Sequence, residues 1–146
     1  LNLTFIDTDQ LIIKSSGKSI ETLFSTSEAY FRSWEKNICK TLKSKQNSII
    51  STGGGIILDD DCRQIIRSIG HVIYLEASAK TILERTKNKS HRPLLNQKDP
   101  YKTIENLLNQ RADLYQSTAH LTINVDPLSI QQISDKIIAY YDLKKT

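Results

Sequence analysis

The chain has 146 residues, a net charge of +4, 38% apolar and 25% charged residues. This is one-domain length, with enough apolar content for a core without disulfides or metals and too much for disorder. There is no apolar run near the ~18 residues of a membrane span and no signal peptide, which points to a cytoplasmic protein.

Taken in chain order, Leu3-Thr4-Phe5-Ile6 reads as a short buried strand ending at Asp7. Gly17-Lys18-Ser19 looks like the end of a Walker A motif, but Gln10–Ser16 contain no glycine. It therefore reads as a turn, with Ser19 capping a helix through Ile20–Leu23. Phe31, Trp34, Ile38 and Leu42 fall on one face of a longer helix. Ser48–Thr52 is a second buried strand, stopped by Gly53-Gly54-Gly55. Cys62, Ile65, Ile66 and Ile69 mark a shorter helix, and His71–Leu75 a third strand. Cys39 and Cys62 lack metal-ligand spacing and read as reduced structural thiols.

Ser78 can cap a helix carrying Ile82 and Leu83. Asn88–Lys102 is long and polar, contains two prolines, and reads as a mobile loop. Ile104, Leu107, Leu108, Arg111 and Tyr115 mark the next helix. Leu121–Val125 is a fourth strand, and Ile130, Ile133, Ile137 and Tyr141 a last helix capped by Ser129. Strands alternating with helices predict an α/β fold with a mainly parallel sheet and ligands at the C-terminal strand ends.

Several groups could carry chemistry. If the strand continues through Asp7-Thr8-Asp9, both carboxylates share a side. They would then suit orienting a hydroxyl or holding magnesium through water; the alternative is a turn with a helix N-cap. Three glycines after a strand let a backbone approach a ligand and aim N–H groups at its oxygens, or form a flexible turn. Arg32, with Glu35 three residues on to brace it, and Arg111 could clamp one carboxylate from two helices, or be solvated. Arg92, in His91-Arg92-Pro93-Leu94-Leu95, suits a lid over a phosphoryl group or an ordinary basic loop. Arg85 could stack on a flat ring. The densest basic cluster, Lys87–Arg92, lacks interleaved aromatics, which argues against nucleic acid as a partner.

In order and spacing, these motifs closely resemble the shikimate kinase family from Leu1 to about Val125. They are Phe5-Ile6-Asp7-Thr8-Asp9, Gly17-Lys18-Ser19-Ile20, Phe31-Arg32 with Glu35, Ile49–Gly55, Arg92–Leu95, and Arg111 with Leu114-Tyr115. The resemblance implies a three-layer α/β/α P-loop kinase-like fold of the nucleoside-monophosphate-kinase kind. It implies transfer of the γ-phosphoryl of ATP to the 3-hydroxyl of shikimate with Mg2+. Asp9 would contact that hydroxyl, and Asp7 and Ser51 would support the magnesium through water. Arg32 and Arg111 would bind the shikimate carboxylate, with Gly53, Gly54 and Gly55 along the ring. Arg92 would reach the phosphates from a lid spanning 88–102, and Arg85 would border adenine.

A single domain over 1–146, acting as a monomer on a small molecule, is the expected organisation. The family's opening strand, Walker A loop and helix have no counterpart, and the chain contains no methionine. The expectation is a chain lacking about 30 upstream residues, roughly one strand–loop–helix unit. The absent strand would lie inside the sheet, between strands this chain retains, and the chain alone would be inactive. The alternatives are another small P-loop kinase, such as a gluconate kinase, or a non-catalytic relative.

Overall fold

A computed structural model describes residues 2–86 and 98–145. These fall into two compact units that divide between His71 and Val72.

In the first unit, strand β1 (Thr4–Asp7) runs parallel to β2 (Ser48–Ser51), with Phe5 beside Ile49, Ile6 beside Ile50 and Asp7 beside Ser51. Between them come helices α1 (Thr8–Ser16), α2 (Ile20–Thr26) and α3 (Glu28–Thr41). Each helix boundary has a local cause. Gly17 closes α1 in the left-handed region at φ 68°, where L side chains are strained, and its N–H donates to the Ile13 carbonyl. Ser19 and Ser27 cap α2 and α3, their hydroxyls accepting from the Thr22 and Tyr30 amides. Gly17-Lys18-Ser19 is thus the turn between two helices, as expected.

Ile12, Leu23, Phe31 and Ile38 form the buried cluster of this unit, with Phe24, Tyr30 and the sole tryptophan, Trp34, packed against it. Burying each such side chain stabilises by roughly 2 kcal/mol. Helix α4 (Asp60–Ile69) packs on α3 through buried Cys39 and Cys62, both free thiols. The Cys39 thiol faces the Cys62 carbonyl oxygen at 3.9 Å. Contact with the Cys39 thiol, together with burial, pushes the Cys62 thiol up. Lys36 of α3 ties the two helices at the surface, 3.0 Å from Asp59 and 2.7 Å from Asp61. Both contacts raise its ammonium above the usual lysine range.

The second unit pairs β3 (Ile73–Glu76) in parallel with β4 (Leu121–Asn124). Helix α5 (Ala79–Thr86) packs against α6 (Pro100–Thr118), and α7 (Ile130–Lys145) follows β4. Ser78 and Ser129 accept from the Thr81 and Gln132 amides, as their cap assignments require.

Three expectations are corrected. The first strand does not continue through Asp7-Thr8-Asp9: helix α1 begins at Thr8. The strands are less buried than their apolar runs suggest, with Phe5 66% and Ile49 44% exposed. These two are register partners on one face of a two-stranded sheet that the unit's helices leave uncovered. Finally, the end of the expected lid is helical, because α6 starts at Pro100 behind its Asp99 cap. Residues 88–97 of that loop, Arg92 included, lie outside the described residues.

Candidate active site

Helix α1 starts where it does because Asp7, at the end of β1, is its N-cap. Its Oδ1 accepts from the Asp9 amide at 2.9 Å and the Gln10 amide at 3.2 Å. Capping fixes the Asp7 carboxylate and sets Asp9 in the first helical turn. Beside Asp7 in the parallel register stands Ser51, the last residue of β2. From there the chain turns through Thr52–Gly55, with the Ile56 amide bonded to the Gly53 carbonyl at 3.2 Å.

The glycine turn is where the side chains converge. A methyl group placed on Gly53 would stand 3.4 Å from Asp9 Oδ1 and 3.5 Å from Glu35 Oε1. One placed on Gly55 would fall inside the Arg32 guanidinium, 2.6 Å from its Cζ. Gly55 has an ordinary φ of −86°, so the close approach of the Arg32 guanidinium, rather than backbone freedom, is what favours glycine there.

Arg32 is held on three sides. Its Nη1 donates to Glu35 Oε2 at 2.8 Å, and the Glu35 side chain is only 6% exposed. A buried carboxylate needs such a partner, since an unpaired one would be strongly disfavoured. Nε and Nη2 both donate to Glu28 Oε1, at 3.4 and 3.2 Å. Beneath the guanidinium lie the rings of Phe24 and Phe31, stacked on each other at 4.1 Å, with Cζ 5.7 and 5.2 Å from their centroids. The expected brace by Glu35 is present. Glu28 and the two phenylalanine rings are additional, and Glu28 was visible as an i,i+4 carboxylate.

Asp9, Arg32, Gly53 and Gly55 are thus gathered around one turn, with Asp7 and Ser51 paired at the strand ends. A metal held directly by side chains does not fit, because no cluster of three or more His, Cys, Asp or Glu occurs among the described residues. Magnesium commonly keeps several waters and takes one or two carboxylates plus substrate phosphates. The Asp7–Ser51 pair fits that water-mediated manner.

Of the other three expected arginines, the two among the described residues belong to the second unit. Arg85, on α5, donates from Nη2 to the Val125 carbonyl at 3.4 Å. Arg111 is half-buried on α6, and its side chain makes no ion pair with the described residues. Nearby, Tyr115 stacks on Tyr74 at 4.7 Å. Burial and the Glu76 carboxylate raise the Tyr74 hydroxyl above its ordinary value.

Comparison with known proteins gives a consistent picture. The family model described as shikimate kinase matches residues 1–142. The shikimate kinase of Francisella philomiragia is 39% identical over 142 residues, covering 96% of this chain and 81% of that protein. Its counterpart in Francisella tularensis subsp. novicida is 38% identical over the same shares. Among solved structures, shikimate kinase from Acinetobacter baumannii in complex with shikimate superposes with a TM-score of 0.89. It is 29% identical, over 99% of this chain and 80% of that one. The Aquifex aeolicus enzyme gives a TM-score of 0.77 at 30% identity, over 96% and 82%.

Proposed function

The chain belongs to the shikimate kinase family, and from that membership we propose that it works in transfer of the γ-phosphoryl group of ATP to the 3-hydroxyl of shikimate. The observation that carries this reading is the Arg32 guanidinium laid on Gly55, braced by buried Glu35, with the Asp9 carboxylate at the same glycine turn. A guanidinium recognises a carboxylate by parallel N–H···O bonds, and a nearby carboxylate can accept a hydroxyl proton.

In this reading Arg32 and Arg111 bind the substrate carboxylate, and Gly53, Gly54 and Gly55 line its ring. Asp9 orients the 3-hydroxyl and takes its proton as the oxygen bonds to the γ-phosphorus. The bond to the β,γ-bridging oxygen breaks, and ADP leaves with that electron pair. Asp7 and Ser51 would hold Mg2+ through its water shell, and the ion would supply neutralisation of phosphate charge. Arg85 borders adenine, and Arg92 reaches the phosphates from a lid that ends before α6. Positioning and charge neutralisation supply most of such catalysis. No helix of the described residues is long and apolar enough to cross a membrane. We further propose that the protein acts as a monomer in the cytoplasm.

The test is shikimate-dependent ADP release by the full-length protein with ATP and Mg2+, against gluconate as the competing substrate. Asp9→Asn keeps the shape and removes the charge. It should lower kcat about 10²-fold or more, within the range of a general base. Near-wild-type turnover by that variant would remove Asp9 from the role.

A further inference from the structure

The two carboxylates on Arg32 are not equivalent. Glu35 is buried and takes Nη1 alone in a short 2.8 Å bond. Glu28 is 63% exposed and takes the whole Nε–Nη2 edge with a single oxygen, at 3.4 and 3.2 Å. That edge is one of those on which a carboxylate can sit with two parallel bonds. One oxygen shared between two long bonds uses it poorly. An exposed i,i+4 pair also contributes little stability, whereas separating Glu35 from Arg32 would cost a buried carboxylate a short charge-assisted bond. The exposed partner is therefore the replaceable one.

Resting on the reading of Arg32 as the substrate-carboxylate anchor, we infer that Glu28 occupies this edge in the empty site and is displaced by the incoming carboxylate. Glu28 is then an affinity-setting residue. It keeps the guanidinium aligned over Gly55 while the site is empty and competes with the substrate for the same two N–H groups. Glu35 stays bound throughout. The site consequently prefers ligands whose carboxylate can form two bonds to this edge over neutral ones, which cannot displace Glu28 and leave its contact in place.

The experiment measures calorimetric affinity of the full-length protein for shikimate and for its neutral methyl ester. Glu28→Gln removes the competing charge. Glu28→Asp keeps a negative charge at the start of α3, where it favours the helix, but falls one methylene short of Arg32. Both variants should bind shikimate about threefold more tightly, the scale of an exposed ion pair. Ester affinity should be unchanged. Weaker or unaltered shikimate binding in both variants overturns the inference. So does tightening in Glu28→Gln alone, which would reflect charge at the helix end, and so does an equal change for the ester. Wild-type protein that binds neither compound instead sinks the functional reading, and this inference with it.

Discussion

At Gly55 the smallest side chain would collide with the Arg32 guanidinium, 2.6 Å from its Cζ. Gly55→Ala must shift that group from its place over the turn. Shikimate affinity should fall tenfold or more, about 1.4 kcal/mol, in a binding titration. Gly53→Ala meets Asp9 and Glu35 only at 3.4–3.5 Å, ordinary van der Waals contact, and should change affinity far less. Equal losses in the two variants would show that turn flexibility, not the Arg32 approach, matters. The Arg32–Glu35 brace was legible in the sequence because helical geometry fixes which residues meet at i,i+3. The Gly55–Arg32 contact was not, since it depends on how the β2 turn lies against α3. Asp7 shows the limit from another side: as a strand residue and as a helix cap it has the same sequence. Only the bonds from the Asp9 and Gln10 amides distinguish the two.

Helices were more legible than strands. Ser19, Ser78 and Ser129 each cap the helix that follows them, because capping is a local bond between residues three apart. Strand burial depends instead on what covers each face, which a four-residue apolar run does not reveal. Helix α4 offers a test at this scale. Its N-cap Asp59 accepts from the Cys62 amide at 3.0 Å and pairs with Lys36 at 3.0 Å. The bond from the Cys62 amide, and then the Lys36 ammonium, hold its carboxyl below the usual aspartate value. A carboxyl depressed by folding stabilises the protein above its unfolded pKa of 3.8, and that contribution is lost as pH falls through the lower folded value. Asp59→Ala should lose about 1 kcal/mol in urea unfolding at neutral pH, and Asp59→Asn much less, because Asn also caps. Both should blunt the acid loss of stability below about pH 4. A wild-type acid limb in Asp59→Asn would mean that other carboxylates set it.

The whole molecule has the P-loop kinase fold of the shikimate kinases it superposes on. Its four described strands pair only two by two, so each pair presents strand edges without a partner among the described residues. Within those residues, the one sequence resembling a phosphate loop, Gly17-Lys18-Ser19, is spent on closing α1 and capping α2. We propose that the 146-residue chain by itself binds ATP negligibly and releases no ADP. A form extended upstream through a phosphate-binding loop should do both and unfold at a higher temperature. Turnover of ATP by the short chain would overturn this. The 146-residue chain can be followed without a label. Trp34 is the only tryptophan, packed on the Ile12–Leu23–Phe31–Ile38 cluster two residues from Arg32. Indole fluorescence, excited beyond tyrosine absorption, is therefore a native optical reporter for this chain confined to the 2–71 unit, reading changes around Arg32.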